Sequence, residues 1–543
     1  MTSALPYANG DIHIGHLVEY IQTDIWVRFQ RLRGNDCTYV CADDTHGTAI
    51  MIRARREGIT PEELIARMHQ AHLRDFAQFE VEFDNYYSTH SAENRELACG
   101  IYESLRAEGH IAVRQVEQAY CEHDRMWLPD RFIRGKCPKC GAEDQYGDSC
   151  DACGTTYRPT DLVGARCSLC GKPPVRRLSE HYFFKLGDFE PQLKRWLSEG
   201  HVHPAIANKL DEWFREGLRD WDISRDGPYF GFEIPGTEDK YFYVWLDAPI
   251  GYMASFRNLC GRTGRDFDAY WKSEQHELHH FIGKDITYFH ALFWPAMLMG
   301  SGYRTPTQLA IHGFLTVEGQ KMSKSRGTFV NARTFARHVP PQALRYYYAS
   351  KLGPGPEDVD LSLEDFVNRH NAELVGKIAN LVSRSARMVQ SKLGGRTGEP
   401  EAGAAAMLAR LRDAAPRLAA NYESRNFNLV VREICALADE SNRYLEQTQP
   451  WQVVKSDEDL ARGQLSAALE ASRILAVYLK PIVPGLVAKV EDCLATGSQR
   501  WPDAAATRGP RTLGEFERLA ERIEMSSLTA MIEETRAEQE QQK

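Results

Sequence analysis

The chain has 543 residues, 43% hydrophobic and 26% charged, and its 66 Lys and Arg stand against 75 Asp and Glu for a net charge of −9. That length predicts two to four domains, and the negative charge excludes indiscriminate nucleic-acid binding while leaving room for RNA recognised through local basic patches. There is no membrane-length apolar run and no charged-then-apolar leader, and the 13 cysteines are odd in number, so the expectations are no membrane partner, a cytoplasmic location, and thiols or metal rather than disulfides.

Residues 6–10 (Pro-Tyr-Ala-Asn-Gly) read as a Gly-rich turn running into a helix. In that helix Leu17, Ile21, Ile25, Phe29 and Leu32 recur at helical spacing, and Gly34 stops it. Residues 37–42 read as a buried strand leading to Asp43 and Asp44, and Thr60-Pro61-Glu62-Glu63 is a capping box that opens the next helix. Strand and helix alternating at this spacing predict an α/β fold with a Rossmann-like, doubly wound parallel sheet, whose ligands sit at the carboxyl ends of the strands. The strand expected ahead of Pro6 has only Met1 to Leu5 to draw on, which points to a truncated start.

The α/β rhythm occupies residues 1–111 and breaks near residue 112. Residues 112–240, rich in cysteine, read as an inserted domain, and the rhythm resumes over 241–308. There His279–Ile282 is a strand followed by Lys284 and Asp285. Residues 309–367 form a linking segment with a lysine loop. From 368 to 543 strand signals vanish, predicting a C-terminal all-α helix bundle whose last residues, from Thr535, are a frayed polar tail.

Two stretches about 300 residues apart carry the chemistry. His13-Ile-Gly-His16 lies at a helix start, where unpaired N–H groups and the positive dipole end receive phosphate. Lys321-Met-Ser-Lys-Ser325 lies between Gly319 and Gly327, in a loop able to close over a nucleotide. Neither is a Walker loop. His13 and His16 are expected to donate hydrogen bonds to charge growing on phosphates, and Lys324, less directly Lys321, to neutralise departing pyrophosphate with Mg²⁺. The plainer alternatives are a capped helix and a solvated basic loop.

Cys137-x2-Cys140 and Cys150-x2-Cys153, each followed by glycine (Gly141, Gly154), predict a closed, structural Zn²⁺ site. Cys167-x2-Cys170 repeats the pattern without a partner pair. It is either half of a second site, completed by Cys121, His123 or His181, or a relic. Tyr7, Asp44, Trp245, Tyr252, His290 and Phe293 fall around one crevice, where aromatic walls and one carboxylate suit a small apolar amino acid with Asp44 pairing its ammonium. In the helical part, Asn380 and Arg384 share a helix face and Trp451 follows Pro450. These suit unstacked RNA bases, against a packing role for Trp451 that sequence alone favours.

Together these residues resemble the methionyl-tRNA synthetases, class I aminoacyl-tRNA synthetases, over nearly the whole chain. The resemblance rests on residues 4–10, 43–47, 221–225, 243–252 and 321–325. It implies a ligase that forms methionyl-adenylate from L-methionine and ATP and transfers methionine to the terminal ribose of tRNA(Met). It implies ATP contacts at Asn9, Gly15, Lys284, Asp285 and Lys324, and a methionine pocket of Leu5, Tyr7, Asp44, Trp245, Ala248, Pro249, Tyr252 and His290. It also implies that Trp451 stacks on an anticodon base read with Asn380 and Arg384, which reverses the packing reading. One zinc is expected, with a second through Cys167 and Cys170, since relatives carry one or two. Editing of homocysteine is a further implication, and the lack of an appended tRNA-binding barrel implies a monomer.

Overall fold

Strand β1, Thr2–Ser3, is only two residues long yet stands in the middle of a five-stranded sheet. In the computed structural model, which describes residues 1–129, 132–147, 150, 152–153, 155, 157–322 and 328–541, the strand expected before Pro6 is therefore present. Its neighbours are β2 (Val40–Asp43), β3 (Asn85–Ser88), β4 (His279–Gly283) and β5 (Gln308–His312), in the order β5-β4-β1-β2-β3 with every pair parallel. Thr2 pairs with Val40 on one side and His280 on the other, so the winding reverses at β1. That reversal opens the crevice in which such sheets bind ligands.

Helices α1 (Ile14–Arg33), α2 (Thr48–Glu57), α3 (Pro61–Gln78), α4 (Ala92–Ala107) and α5 (Ile250–Thr263) cover the sheet. The predicted periodicity of α1 is its burial pattern: Leu17, Ile21, Ile25 and Phe29 have no exposed surface. Gly34, at φ 97°, ends the helix in the left-handed conformation that a Cβ disfavours. The Thr60 capping box at the start of α3 forms as expected, with Glu63 N–H donating to Thr60 Oγ1 and Thr60 N–H to Glu63 Oε2.

Between α4 and α5, a long antiparallel hairpin of Ile111–Cys121 and Val175–Phe184 carries a second, small sheet of Ile133–Lys136, Gln145–Tyr146 and Val163–Cys167. The cysteine pairs sit at the edges of these strands. After β5 come α6 (Ala332–His338) and then the helical part, built around α7 (Asn380–Lys392) and the almost wholly buried α8 (Glu458–Leu479).

The last helix departs from expectation. Thr535 onward reads as a frayed tail, but α9 spans Met525–Gln541 and packs on α6. Arg337 pairs with Glu534 and Glu538 at 2.6 Å each, and Thr334 donates to Glu538 at 2.8 Å. The partners of this polar segment lie about 200 residues earlier in the chain, out of reach of any local reading.

Candidate active site

The first turn of α1 is closed by its own histidines. His16 N–H donates to His13 Nδ1 at 3.2 Å, and His13 N–H donates to His16 Nδ1 at 3.3 Å. The two rings stack at 3.5 Å. Because each Nδ1 accepts, each ring carries its proton on Nε2 as a neutral imidazole. Burial, and then neighbouring His13, hold His16 well below the usual imidazole range. Capping and ligand binding are thus not rivals: the cap uses only the Nδ1 of each ring.

The lysine loop leaves and re-enters beside this turn. Gly15 lies under the terminal methyl of Met322, so close that a Cβ would collide with it. Beyond the loop, Ile14 N–H donates to the Val330 carbonyl at 3.0 Å, Ala332 N–H to that of Ile12 at 2.8 Å, and Phe329 meets the His13 ring edge-on at 4.4 Å. Lys321 stands in a hairpin at the loop's start; Lys324 lies outside the described residues. A cleft of about 860 Å³ opens here, lined by Asn9, His13, His16, Arg53, Phe329 and Asn331, with Glu538 and Gln539 of α9 along one side. Gln539 donates to the Phe329 carbonyl at 3.0 Å. Buried Asn9 Oδ1 has no partner within the protein, as suits an atom that meets a ligand.

Of the other expected ATP residues, Lys284 and Asp285 sit at the carboxyl end of β4, apart from the walls of this cleft. Lys284 pairs with Asp358 and lies 4.7 Å over Phe314. Near them is a carboxylate that sequence reasoning missed. Glu19 of α1 is buried, lies 3.4 Å from His312 Nε2, and is pushed up to about 7 by burial. The available signal was an acidic residue set between Val18 and Tyr20 on the buried stretch of α1.

Several of the residues expected to line an amino-acid pocket lie just beyond β1 and β2. Tyr7 and Asp44 bridge as strand partners, with Asp44 N–H donating to the Pro6 carbonyl at 2.9 Å. Asp44 Oδ1 is buried without a partner, and burial, then the nearby Asp247 charge, raises its carboxyl well above the ordinary range. From α5, Tyr252 reaches His290, its oxygen 2.9 Å from Nε2, while His290 Nδ1 is 3.2 Å from the Ile286 carbonyl. That carbonyl can only accept, so Nδ1 carries the proton and the tyrosine hydroxyl donates to Nε2. Burial pulls His290 down to about 4, which keeps it neutral. It stands in a π-helical turn, Phe289–Phe293, the local irregularity common at binding sites. Trp245 stacks flat on Phe289 at 3.8 Å, and Gly251 makes room for Leu5. Ala248 is buried beside Pro249, which caps α5.

Cys137, Cys140, Cys150 and Cys153 converge, with sulfur separations of 3.9 Å for Cys137–Cys153 and 3.5 Å for Cys140–Cys150. Four thiolates at Zn–S distances of about 2.3 Å stand roughly 3.8 Å apart, so the set fits a tetrahedral ion. Gly141, at φ 75°, makes the first knuckle turn; Gly154 lies outside the described residues. The third pair also has partners. Cys167 and Cys170 meet Cys121 and Asp124, with Cys121–Cys170 at 3.5 Å and Asp124 Oδ2 3.1–3.2 Å from the Cys167 and Cys121 sulfurs. Of the partners considered from sequence, Cys121 takes part. His123 instead faces Asp124, and His181 is held by Asp222 and Asp226. The overlooked signal was Cys121-x2-Asp124, a knuckle spacing with oxygen as its second donor.

In the helical part, the Arg384 guanidinium lies 5.0 Å over the half-buried Trp451 ring. Both line a groove of about 500 Å³ with Arg387, Lys392 and Lys455. Asn380 is exposed one turn before Arg384. Trp451 is therefore not a core side chain, and its groove is basic.

Residues 1–386 match the family described as tRNA synthetases class I (M), and residues 393–515 match the anticodon binding domain of methionyl tRNA ligase. Among solved structures, the chain is similar to Mycobacterium tuberculosis methionyl-tRNA synthetase in complex with methionyl-adenylate. Identity is 27%, the TM-score is 0.78, and the match covers 95% of this chain and 98% of that one. A second structure of that enzyme bound by methionyl-adenylate gives 25% identity and a TM-score of 0.77, over 95% and 99% of the two chains. Its apo form gives 25% and 0.73, over 96% and 97%.

Proposed function

This chain belongs to the methionine class of class I tRNA synthetases and is a methionine–tRNA ligase, and we propose that the cleft beside the histidine turn is where its ATP binds. One observation carries the reading: the histidine turn touches the chain on both sides of the lysine loop, at the mouth of a cleft walled by Tyr7, whose bridge partner Asp44 has a buried Oδ1 without a partner.

Methionine enters between Tyr7, Trp245, Tyr252 and His290, with Leu5, Ala248 and Pro249 completing the walls. A buried carboxyl with no cation beside it favours its neutral form. The methionine ammonium supplies the missing charge and binds to ionised Asp44. A carboxylate oxygen of methionine then attacks the α-phosphorus of ATP, the α–β phosphoanhydride bond breaks, and pyrophosphate leaves. His13 and His16 donate from Nε2 to the growing negative charge, while Asn9 and Gly15 shape the turn. Lys321 and Lys324 meet the departing pyrophosphate. Lys284 and Asp285 serve the nucleoside end. Mg²⁺ arriving with ATP contributes positive charge on the phosphates. In the second step a terminal ribose hydroxyl of tRNA(Met) attacks the adenylate carbonyl and AMP leaves.

Asn380, Arg384 and Trp451 read the anticodon, the tryptophan by stacking. Cys137, Cys140, Cys150 and Cys153 would hold one structural Zn²⁺, and Cys121, Asp124, Cys167 and Cys170 a second. Four protein donors in each set leave no open position for chemistry. We divide the chain at residues 111, 240, 308 and 367, and take it to act as a monomer in the cytoplasm. No helix among the described residues is long and apolar enough to cross a membrane.

ATP–pyrophosphate exchange with each amino acid in turn tests the reading. Methionine should support exchange; preferential activation of valine or leucine would reject it. A hydrophobic pocket separates near-isosteres by only about 1–3 kcal/mol per methylene, so the comparison must be quantitative.

A further inference from the structure

Beneath the turn that carries Asn9 and Gly10 lies a polar cluster that the reaction above does not use. Asp43, at the end of β2, is fully buried and receives three donors: His69 Nδ1 at 2.7 Å, His72 Nδ1 at 2.6 Å, and the Tyr86 hydroxyl. His69 and His72 are three apart on α3, so one helix face turns both rings to the sheet. The second ring nitrogen of His72, Nε2, lies 2.7 Å from the carbonyl oxygen of Gly10.

Both nitrogens of His72 thus face oxygens. The Gly10 carbonyl only accepts, and a carboxylate already serving three donors has no proton to give. An imidazole with acceptors at both nitrogens carries hydrogen on both and is a cation. With no exposed surface, that charge persists only against a matched anion. Burial opposes it, but the hydrogen bond and charge of Asp43 raise His72, while against the same burial His69 and His72 lower Asp43. Asp75, on the same helix, adds its negative charge, and the other titratable neighbour, His16 on α1, is neutral.

The preceding carbonyl is held the same way: Arg53 of α2 donates to the Asn9 oxygen at 2.6 Å. Two consecutive carbonyls of the turn are therefore bound by cationic side chains. We propose that His72, fixed as an imidazolium between Asp43 and Gly10, is a positioning residue for the ATP-binding turn. It ties down a carbonyl whose negative end would oppose phosphate, and it turns the positive end of the His72–Asp43 ion pair towards the cleft that receives the triphosphate. It touches neither substrate.

This inference rests on reading that cleft as the ATP site, and two comparisons keep the ideas apart. Methionine-dependent exchange by the wild-type chain tests the site; variants of an active chain test His72. His72→Gln keeps a donor for Gly10 but loses the charge. Its exchange kcat should fall at least tenfold and its KM for ATP should rise, with KM for methionine within twofold of wild type. An unchanged kcat, or equal rises in both KM values as from a loosened fold, overturns the proposal. Neutron diffraction from the deuterated wild-type protein needs no variant and decides the matter even if His72→Gln does not fold. Deuterium on both ring nitrogens of His72 is expected; a single deuterium overturns the proposal.

Discussion

The terminal methyl of Met322 rests directly on the backbone of Gly15, joining the start of the lysine loop to the first turn of α1.

Replacing Gly15 by alanine puts a methyl group where Met322 stands and 3.0 Å from the His13 ring. The flexible methionine tip gives way more readily than the helix, and alanine favours a helix over glycine by about 1 kcal/mol, so global stability should change by no more than about that. Exchange activity should nevertheless fall at least tenfold. Thermal unfolding and pyrophosphate exchange on one preparation check both halves, and full activity would mean the loop does not depend on this contact.

His290 gives a pH dependence with a defined sign. Its folded value of about 4 lies below the unfolded value of 6.5, because burial disfavours the cation. Between those values the unfolded chain holds a proton that the folded chain lacks. Stability is therefore full above about pH 6.5 and falls by about 1.4 kcal/mol per pH unit as pH drops towards 4. His16 and His280, also lowered by burial, act in the same direction. His290→Gln should flatten the fall of melting temperature between pH 7 and pH 5, and parallel wild-type and variant profiles would contradict the assignment.

Two zinc equivalents per chain are expected in protein prepared without chelator. Cys140→Ser should remove one and Cys170→Ser the other, as measured by elemental analysis. A wild-type content of one, unaffected by Cys170→Ser, would show that the Cys121–Asp124–Cys167–Cys170 set binds no zinc under those conditions.

Trp451→Ala should leave methionine-dependent exchange within twofold and lower kcat/KM for tRNA charging by about 5- to 150-fold, since base stacking on an aromatic ring contributes about 1–3 kcal/mol. Arg384→Ala, which removes the guanidinium 5.0 Å over that ring, should act in the same direction. Unaltered charging would remove the groove from the tRNA interface.

The parts of this molecule legible in sequence are those set by neighbours along the chain. The histidine turn, the Thr60 cap, the Gly34 stop and the Cys-x2-Cys knuckles are all local geometry, and the apolar repeat of α1 fixed its buried face. Asp124 escaped notice because one acidic residue near a cysteine is unremarkable until Cys167 and Cys170 fold against it. Glu19 gains its role only from His312, 293 residues away. The polar end of α9 has ordered partners because Thr334, Arg337, His338 and Phe329 present them.

The position of β1 also governs how the chain is made. Its partner His280 lies 278 residues beyond Thr2, so at about 5–20 residues per second a ribosome takes roughly 15–55 s to deliver it. Throughout that interval the nascent sheet has an open edge at its future centre, where stray strands can add. Synthesis is therefore a stage at which this sheet is open to aggregation.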